Sequence, residues 1–148
     1  MRVIKSDSPS ETRRIGKELG DALKDGDVVS LYGELGAGKT VFASGIAEAL
    51  GCTDYITSPT YTIINEYRNL KTDLIHIDAY RLDCPDEIVD AGFFDYLSQP
   101  GIIVIEWAER IIKHIPSGSI SVAIKKTGPE DDGRTIAITY PEGTESKI

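Results

Sequence analysis

VVSLYGELGAGKTVFASGIAEAL, residues 28–50, decides how the rest of the chain is read. Its first five residues are mostly apolar, the pattern of a short strand, and they run straight into glycines. From Lys39 onward Phe42, Ala43, Ile46, Ala49 and Leu50 recur at helical spacing, and Gly51 reads as the helix stop. Between strand and helix, Gly33-Glu34-Leu35-Gly36-Ala37-Gly38-Lys39-Thr40 fits G-x-x-x-x-G-K-[ST] at every position. Gly36 and Gly38 can adopt backbone angles closed to other residues and bring N–H groups against phosphate oxygens, while the helix start aims its partial positive charge at the same anion. Lys39 adds a full charge for the β and γ phosphates, and the Thr40 hydroxyl can ligate Mg²⁺. Gly33, Gly36, Ala37, Gly38, Lys39, Thr40 and Val41 are therefore the candidate nucleotide-binding residues.

Working outward, Ser8 and Glu11 stand at capping-box spacing ahead of Ile15, Leu19, Ala22 and Leu23, which predicts a first helix ending at Gly26. After the loop, Thr60–Tyr67 and Leu74–Asp78 are β-rich runs joined by polar residues 69–73, a hairpin pattern. Pro85-Asp86-Glu87 opens a helical region. GIIVIEW, residues 101–107, is the near-continuous apolar run of a strand covered on both faces in a parallel sheet. Ser119–Lys125 and Arg134–Tyr140 are two final strands around the turn-rich TGPEDDG.

Length and composition fit one ordinary globular domain over residues 1–148, with residues 142–148 as a flexible tail: 41% of residues are hydrophobic and 27% charged. A formal charge of -8 argues against a chain that grips a phosphate backbone over a broad surface by itself, so a link to nucleic acid would run through a partner. With no signal-peptide core and no apolar run of about 20 residues, the expectation is a cytoplasmic protein without membrane contact. Cys52 and Cys84 read as reduced structural thiols. His76 and His114 stand alone in sequence and read as structural residues, since an imidazole needs a partner to be tuned or oriented.

A nucleotide site also needs a second group for the metal, and in open α/β sheets ligands gather at strand carboxyl ends. Glu106 closes IIVIE and Asp78 closes LIHID, so both are candidates for that role. Trp107, beside Glu106, is either a packing residue or a ligand contact. Ser58-Pro59-Thr60 is either an ordinary turn or a γ-phosphate sensor.

GELGAGKT (33–40), SPTYTIINEY (58–67), HIDAYRL (76–82) and IEWAER (105–110), in this order and spacing, resemble the TsaE (YjeE) family of bacterial tRNA N6-threonylcarbamoyladenosine (t6A) biosynthesis. The resemblance runs from Thr12 to Arg110. It implies an α/β, P-loop NTPase-like three-layer fold with a mostly parallel central sheet, helices on both faces and antiparallel hairpin additions. It also implies ATP/ADP and Mg²⁺ as ligands, TsaD and TsaB as partners, and slow ATP hydrolysis that supports repeated turnover of their modification of tRNA adenosine 37, for which TsaC supplies threonylcarbamoyl-AMP. By motif, Lys39, Asp78 and Glu106 carry the catalysis, Thr40, Glu106 and Asp78 hold the metal, Ser58 and Thr60 form a switch near the γ-phosphate, and Trp107 joins the nucleotide site. Thr12 and Arg134 fall where the family has a nucleotide-edge contact. Glu106 stands where P-loop enzymes more often have Asp.

Two other functions compete. A small-molecule kinase would close an arginine-rich lid over the phosphates, yet the seven arginines are scattered and only Arg13 and Arg14 are adjacent. A nucleotide-dependent binding module would use ATP to order a docking face, with hydrolysis incidental.

Overall fold

The computed structural model describes residues 1–52, 63–68, 71–129, 131–144, 146 and 148. In chain order the elements are β1 (Arg2–Ser6), α1 (Pro9–Ala22), β2 (Val28–Tyr32), α2 (Lys39–Ala49), β3 (Ile64–Tyr67), β4 (Leu74–Asp78), α3 (Glu87–Asp90), α4 (Phe93–Leu97), β5 (Ile102–Glu106), a 3-10 helix (Ala108–His114), β6 (Ile120–Lys126) and β7 (Arg134–Thr139). The strands form one seven-stranded sheet in the order β1-β7-β6-β2-β5-β4-β3. Its four middle strands, β6, β2, β5 and β4, run parallel. β3 pairs antiparallel with β4 at one edge, and β7 and β1 extend the other edge antiparallel.

β1 is absent from the sequence reading. Its five residues alternate too weakly to announce a strand, and pairing with β7, from Arg2 opposite Ile138 to Ser6 opposite Arg134, is what makes them one. α1 begins as predicted: Ser8 Oγ accepts the Glu11 N–H at 3.1 Å, while Glu11 Oε2 accepts the N–H of Asp7, one residue upstream of the cap. It ends at Ala22, earlier than the predicted Gly26, because the Leu23 N–H turns back to Gly20 O and Asp27 Oδ2 takes the Lys24 N–H.

Side-chain alternation along the central strands sorts the core into two faces. Leu74, Ile102, Val104, Val29 and Leu31 pack with Ile15 and Leu19 of α1 and Phe42 and Ile46 of α2. Ile75, Ile77, Ile103 and Ile105 pack with Ile88, Phe93 and Ile111 of the short helical segments on the other face. Helices thus cover both faces. Ile148 lies against the first cluster. α1 and α2 approach through glycine: a Cβ on Gly45 would lie 2.1 Å from Arg13 O, and one on Gly16 would lie 2.3 Å from Phe42 O. That approach carries Thr12 of α1 to the start of α2, where its methyl lies 3.7 Å from the ideal Cβ position of Gly38.

Candidate functional site

The loop 33–38 links the carboxyl end of β2 to the start of α2, as the motif requires. Gly38 caps α2 with φ +111° and Gly36 has φ +77°, both in the left-handed region that L side chains rarely adopt. Arg134, at the start of β7, braces the loop from outside: Nε donates to Ala37 O at 2.7 Å and Nη2 to Gly36 O at 3.3 Å, and Nη1 reaches the carbonyls of Asp131 and Gly133. With carbonyls turned toward Arg134, the loop is held in one shape by a guanidinium's fixed fork. Thr12 is 2% exposed and shares a hydrogen bond of 2.8 Å with Ser6 Oγ, so its hydroxyl belongs to the α1 entrance and its methyl to the loop. Pro9, Thr12, Gly36, Gly38, Val41, Asp132 and Arg134 enclose a small hollow of about 90 Å³ beside the loop.

Strand parity places the acidic side. Leu74, His76 and Asp78 alternate with Ile75 and Ile77, and Ile102, Val104 and Glu106 with Ile103 and Ile105, so His76, Asp78 and Glu106 share the face of the glycine loop. Asp78 stands opposite Glu106 in the β4–β5 register, and Leu31 of β2 stands opposite Glu106 on its other side. The Thr40 hydroxyl donates to Glu106 Oε1 at 2.8 Å. Glu106 Oε2 meets His76 Nε2 at 2.5 Å. The Asp78 Oδ1 accepts the Tyr80 N–H at 2.9 Å. Leu35 to Val41, Asp78, Tyr80, Arg81, Glu106 and Trp107 line a cleft of about 410 Å³.

Lys39 Nζ donates to Gly33 O and to Glu34 O, the latter at 3.0 Å, and lies 3.8 Å from the centroid of the Trp107 ring. Trp107 has φ +57°, a conformation costly for a bulky residue, of order 1–3 kcal/mol, and concentrated at functional sites. Its ring is fixed by Tyr80, centroid to centroid 4.7 Å, and by the Lys39 ammonium over its face.

The titrating groups are pushed apart. Burial lowers the Lys39 ammonium's pKa, against the charges of Glu109, Glu106 and Asp78. Burial raises the Asp78 carboxyl above its ordinary range; the Tyr80 N–H opposes that rise and the charge of Glu106 adds to it. On Glu106 burial is also the largest influence and pushes upward, yet the hydrogen bond and charge of His76, then Thr40 and Lys39, together hold the carboxyl below its usual range. The two neighbouring carboxyls are therefore shifted in opposite directions.

Of the candidates from sequence, Gly36, Ala37, Gly38, Lys39, Thr40, Val41, Asp78, Glu106 and Trp107 converge on the cleft. Gly33 lies behind it, lining a hollow with Glu34, Ala37, Ile124, Lys125 and Lys126. Thr12 and Arg134 sit at the smaller hollow. Ser58 and Thr60 lie outside the described residues. His76 corrects the reading of a lone structural histidine: its partner is Glu106, 30 positions along the chain. Strand parity carries half of the signal, because His76 and Asp78 are two apart on one strand and share a face, and the pairing of β4 with β5 carries the rest. Glu109, whose charge acts on Lys39, was also missed. Among the described residues no group of three or more His, Cys, Asp or Glu is arranged to hold a metal. The hard oxygens of Thr40 and Glu106 do fit Mg²⁺, which takes one or two protein ligands and completes its shell with phosphate and water.

A glycine loop after a central parallel strand, a helix opening on it and a carboxylate at the end of the next strand define a P-loop α/β protein. The family model described as threonylcarbamoyl adenosine biosynthesis protein TsaE matches residues 6–136, and the chain belongs to that family. It is 42% identical over 132 residues to the tRNA threonylcarbamoyladenosine biosynthesis protein TsaE of Bacillus subtilis (strain 168), covering 89% of this chain and 81% of that protein. To the protein of the same name from Treponema pallidum (strain Nichols) it is 38% identical over 125 residues, 84% of this chain and 91% of that one. The crystal structure of Bacillus subtilis YdiB aligns with a TM-score of 0.77 at 37% identity, covering 94% of this chain and 84% of that chain.

Proposed function

We propose that the chain is the ATP-binding and ATP-hydrolysing subunit that supports t6A modification of tRNA, acting in the cytoplasm through TsaB and TsaD. The observation that carries the reading is the 2.8 Å contact between the Thr40 hydroxyl and Glu106 Oε1, inside the cleft that the glycine loop lines. Membership of the family supports the pathway. The acidic charge of -8 supports contact with tRNA through the complex rather than by this chain alone.

In this reading the loop amides and the start of α2 bind the α and β phosphates of ATP or ADP, and Lys39 moves from the Gly33 and Glu34 carbonyls toward the γ-phosphate. Thr40 and Glu106 would hold Mg²⁺, and Asp78, opposite Glu106 in the register, would orient a water beside them. When bound, the ion would supply neutralisation of phosphate charge. Thr12, Val41 and Arg134 border the nucleotide's outer edge at the small hollow. Trp107 closes the cleft beside Lys39. Ser58 and Thr60 sense the γ-phosphate. Lys39 is engaged by two carbonyls and the Trp107 face, which supports a slow intrinsic rate raised by partner docking, and Arg81 at the cleft is the arginine available in cis.

Reconstituted modification with TsaB, TsaC and TsaD tests this. A Glu106→Ala variant that still binds ATP should stop modification after one round. Full multiple-turnover modification by that variant would favour the binding-module reading, in which ATP only orders a docking face.

A further inference from the structure

We propose that His76 is the positioning residue of this site: it holds one oxygen of Glu106 so that the other is presented to Thr40 and to magnesium. The inference rests on the Mg·ATP reading above. His76 and Glu106 are 1% and 2% exposed, and the carboxylate is split between two elements, Oε2 to the imidazole on β4 and Oε1 to the hydroxyl on α2. A carboxylate anchored at a single oxygen can turn about its last bond. Anchored at both, it offers an ion one fixed oxygen, and partners of this outer kind change metal affinity by about 10–100-fold when removed.

Packing alone does not account for an imidazole at this position. Leu74 lies on the same face and Val104 faces it in the β5 register, with Asn65 opposite it in the β3 register, so its surroundings are in part apolar. His76 Nδ1 is buried without a hydrogen-bond partner among the described residues, whereas buried polar groups are nearly always paired. Among the described residues the imidazole's hydrogen bond is from Nε2, to Glu106 Oε2. The same geometry explains Glu in place of Asp at the end of β5. The side chain must reach Thr40 on one side and His76, two residues back from its register partner Asp78, on the other. A carboxylate one methylene shorter would give up one of them.

The test is calorimetric titration of the full chain with ADP, with and without Mg²⁺, in the wild type and in His76→Leu, His76→Gln and Glu106→Ala variants. His76→Leu should bind metal-free ADP within about twofold of wild type, and should melt lower because the buried Glu106 Oε2 loses its imidazole partner. It should lose about tenfold or more of the affinity that Mg²⁺ adds. His76→Gln, which returns a donor at similar reach, should recover most of that loss, and His76→Leu should add no further loss in the Glu106→Ala background. An unchanged Mg²⁺ enhancement in His76→Leu, or an equal further loss when Glu106 is already Ala, would overturn the proposal. Should the leucine variant fail to fold, the contrast of His76→Gln with the shorter His76→Asn carries the same decision: equal Mg²⁺ enhancement in the two overturns it. A wild type in which Mg²⁺ adds nothing overturns the Mg·ATP reading together with this inference.

Discussion

One face of the sheet lies under two long helices, α1 of 14 residues and α2 of 11, locked together through Gly16 and Gly45. The other lies under α3 and α4, of four and five residues, and a 3-10 helix with non-helical angles at Ile111. His76, Asp78 and Glu106 all point to the first face, where Lys39 and Thr40 stand on α2. The proposed site thus lies where the neighbouring helix backbones approach most closely, and the second face supplies an apolar base for the strands.

The comparison can be broken in four ways. Glu106→Ala removes the group that joins β5, β4 and α2, and should lower ATP hydrolysis on the order of 10²–10³-fold, read as phosphate release. Gly45→Val drives a side chain into Arg13 O and should cost about 3 kcal/mol in urea denaturation, since overpacking against backbone cannot relax cheaply. Asp78→Asn should raise stability slightly at neutral pH, by less than about 1 kcal/mol, since this carboxyl is half-buried and solvent screens part of its penalty. The sign follows from the raised pKa of Asp78. Its folded value lies above its unfolded one, so stability falls as pH rises through that window, and the advantage of Asn should shrink as pH drops through the raised value and vanish below the unfolded one. Glu106 runs the opposite way: its lowered pKa contributes stability above the unfolded value that is lost as pH falls through the folded one. Last, Phe94→Ser, at an exposed position of the second face, should change stability by less than about 0.5 kcal/mol by thermal melting. A large loss there would mean the two faces differ less than described.

Legibility follows the same division. The glycine loop, β2, α2 and the acidic ends of β4 and β5 were readable because each is a local pattern: a motif, a periodicity, a carboxylate closing an apolar run. The antiparallel pair β6–β7 was readable from its turn residues. β1 was not, because its partner strand lies at the other end of the chain. The His76–Glu106 contact was not read either, since it needs the parallel order of β4 and β5 as well as strand parity. Arg134 could be placed near the nucleotide edge by resemblance, but its grip on the Gly36 and Ala37 carbonyls is a property of the folded β7 start. The positive φ of Trp107 has no sequence signature at all.

The central claim is that Thr40 and Glu106 present their oxygens to one magnesium ion beside the phosphates. Titrating ATP into wild type and Thr40→Ala at fixed and at zero Mg²⁺ tests it most directly. The account predicts Mg²⁺-enhanced binding at one site in the wild type, and loss of that enhancement in Thr40→Ala with metal-free binding retained. Equal enhancement in both proteins would contradict it.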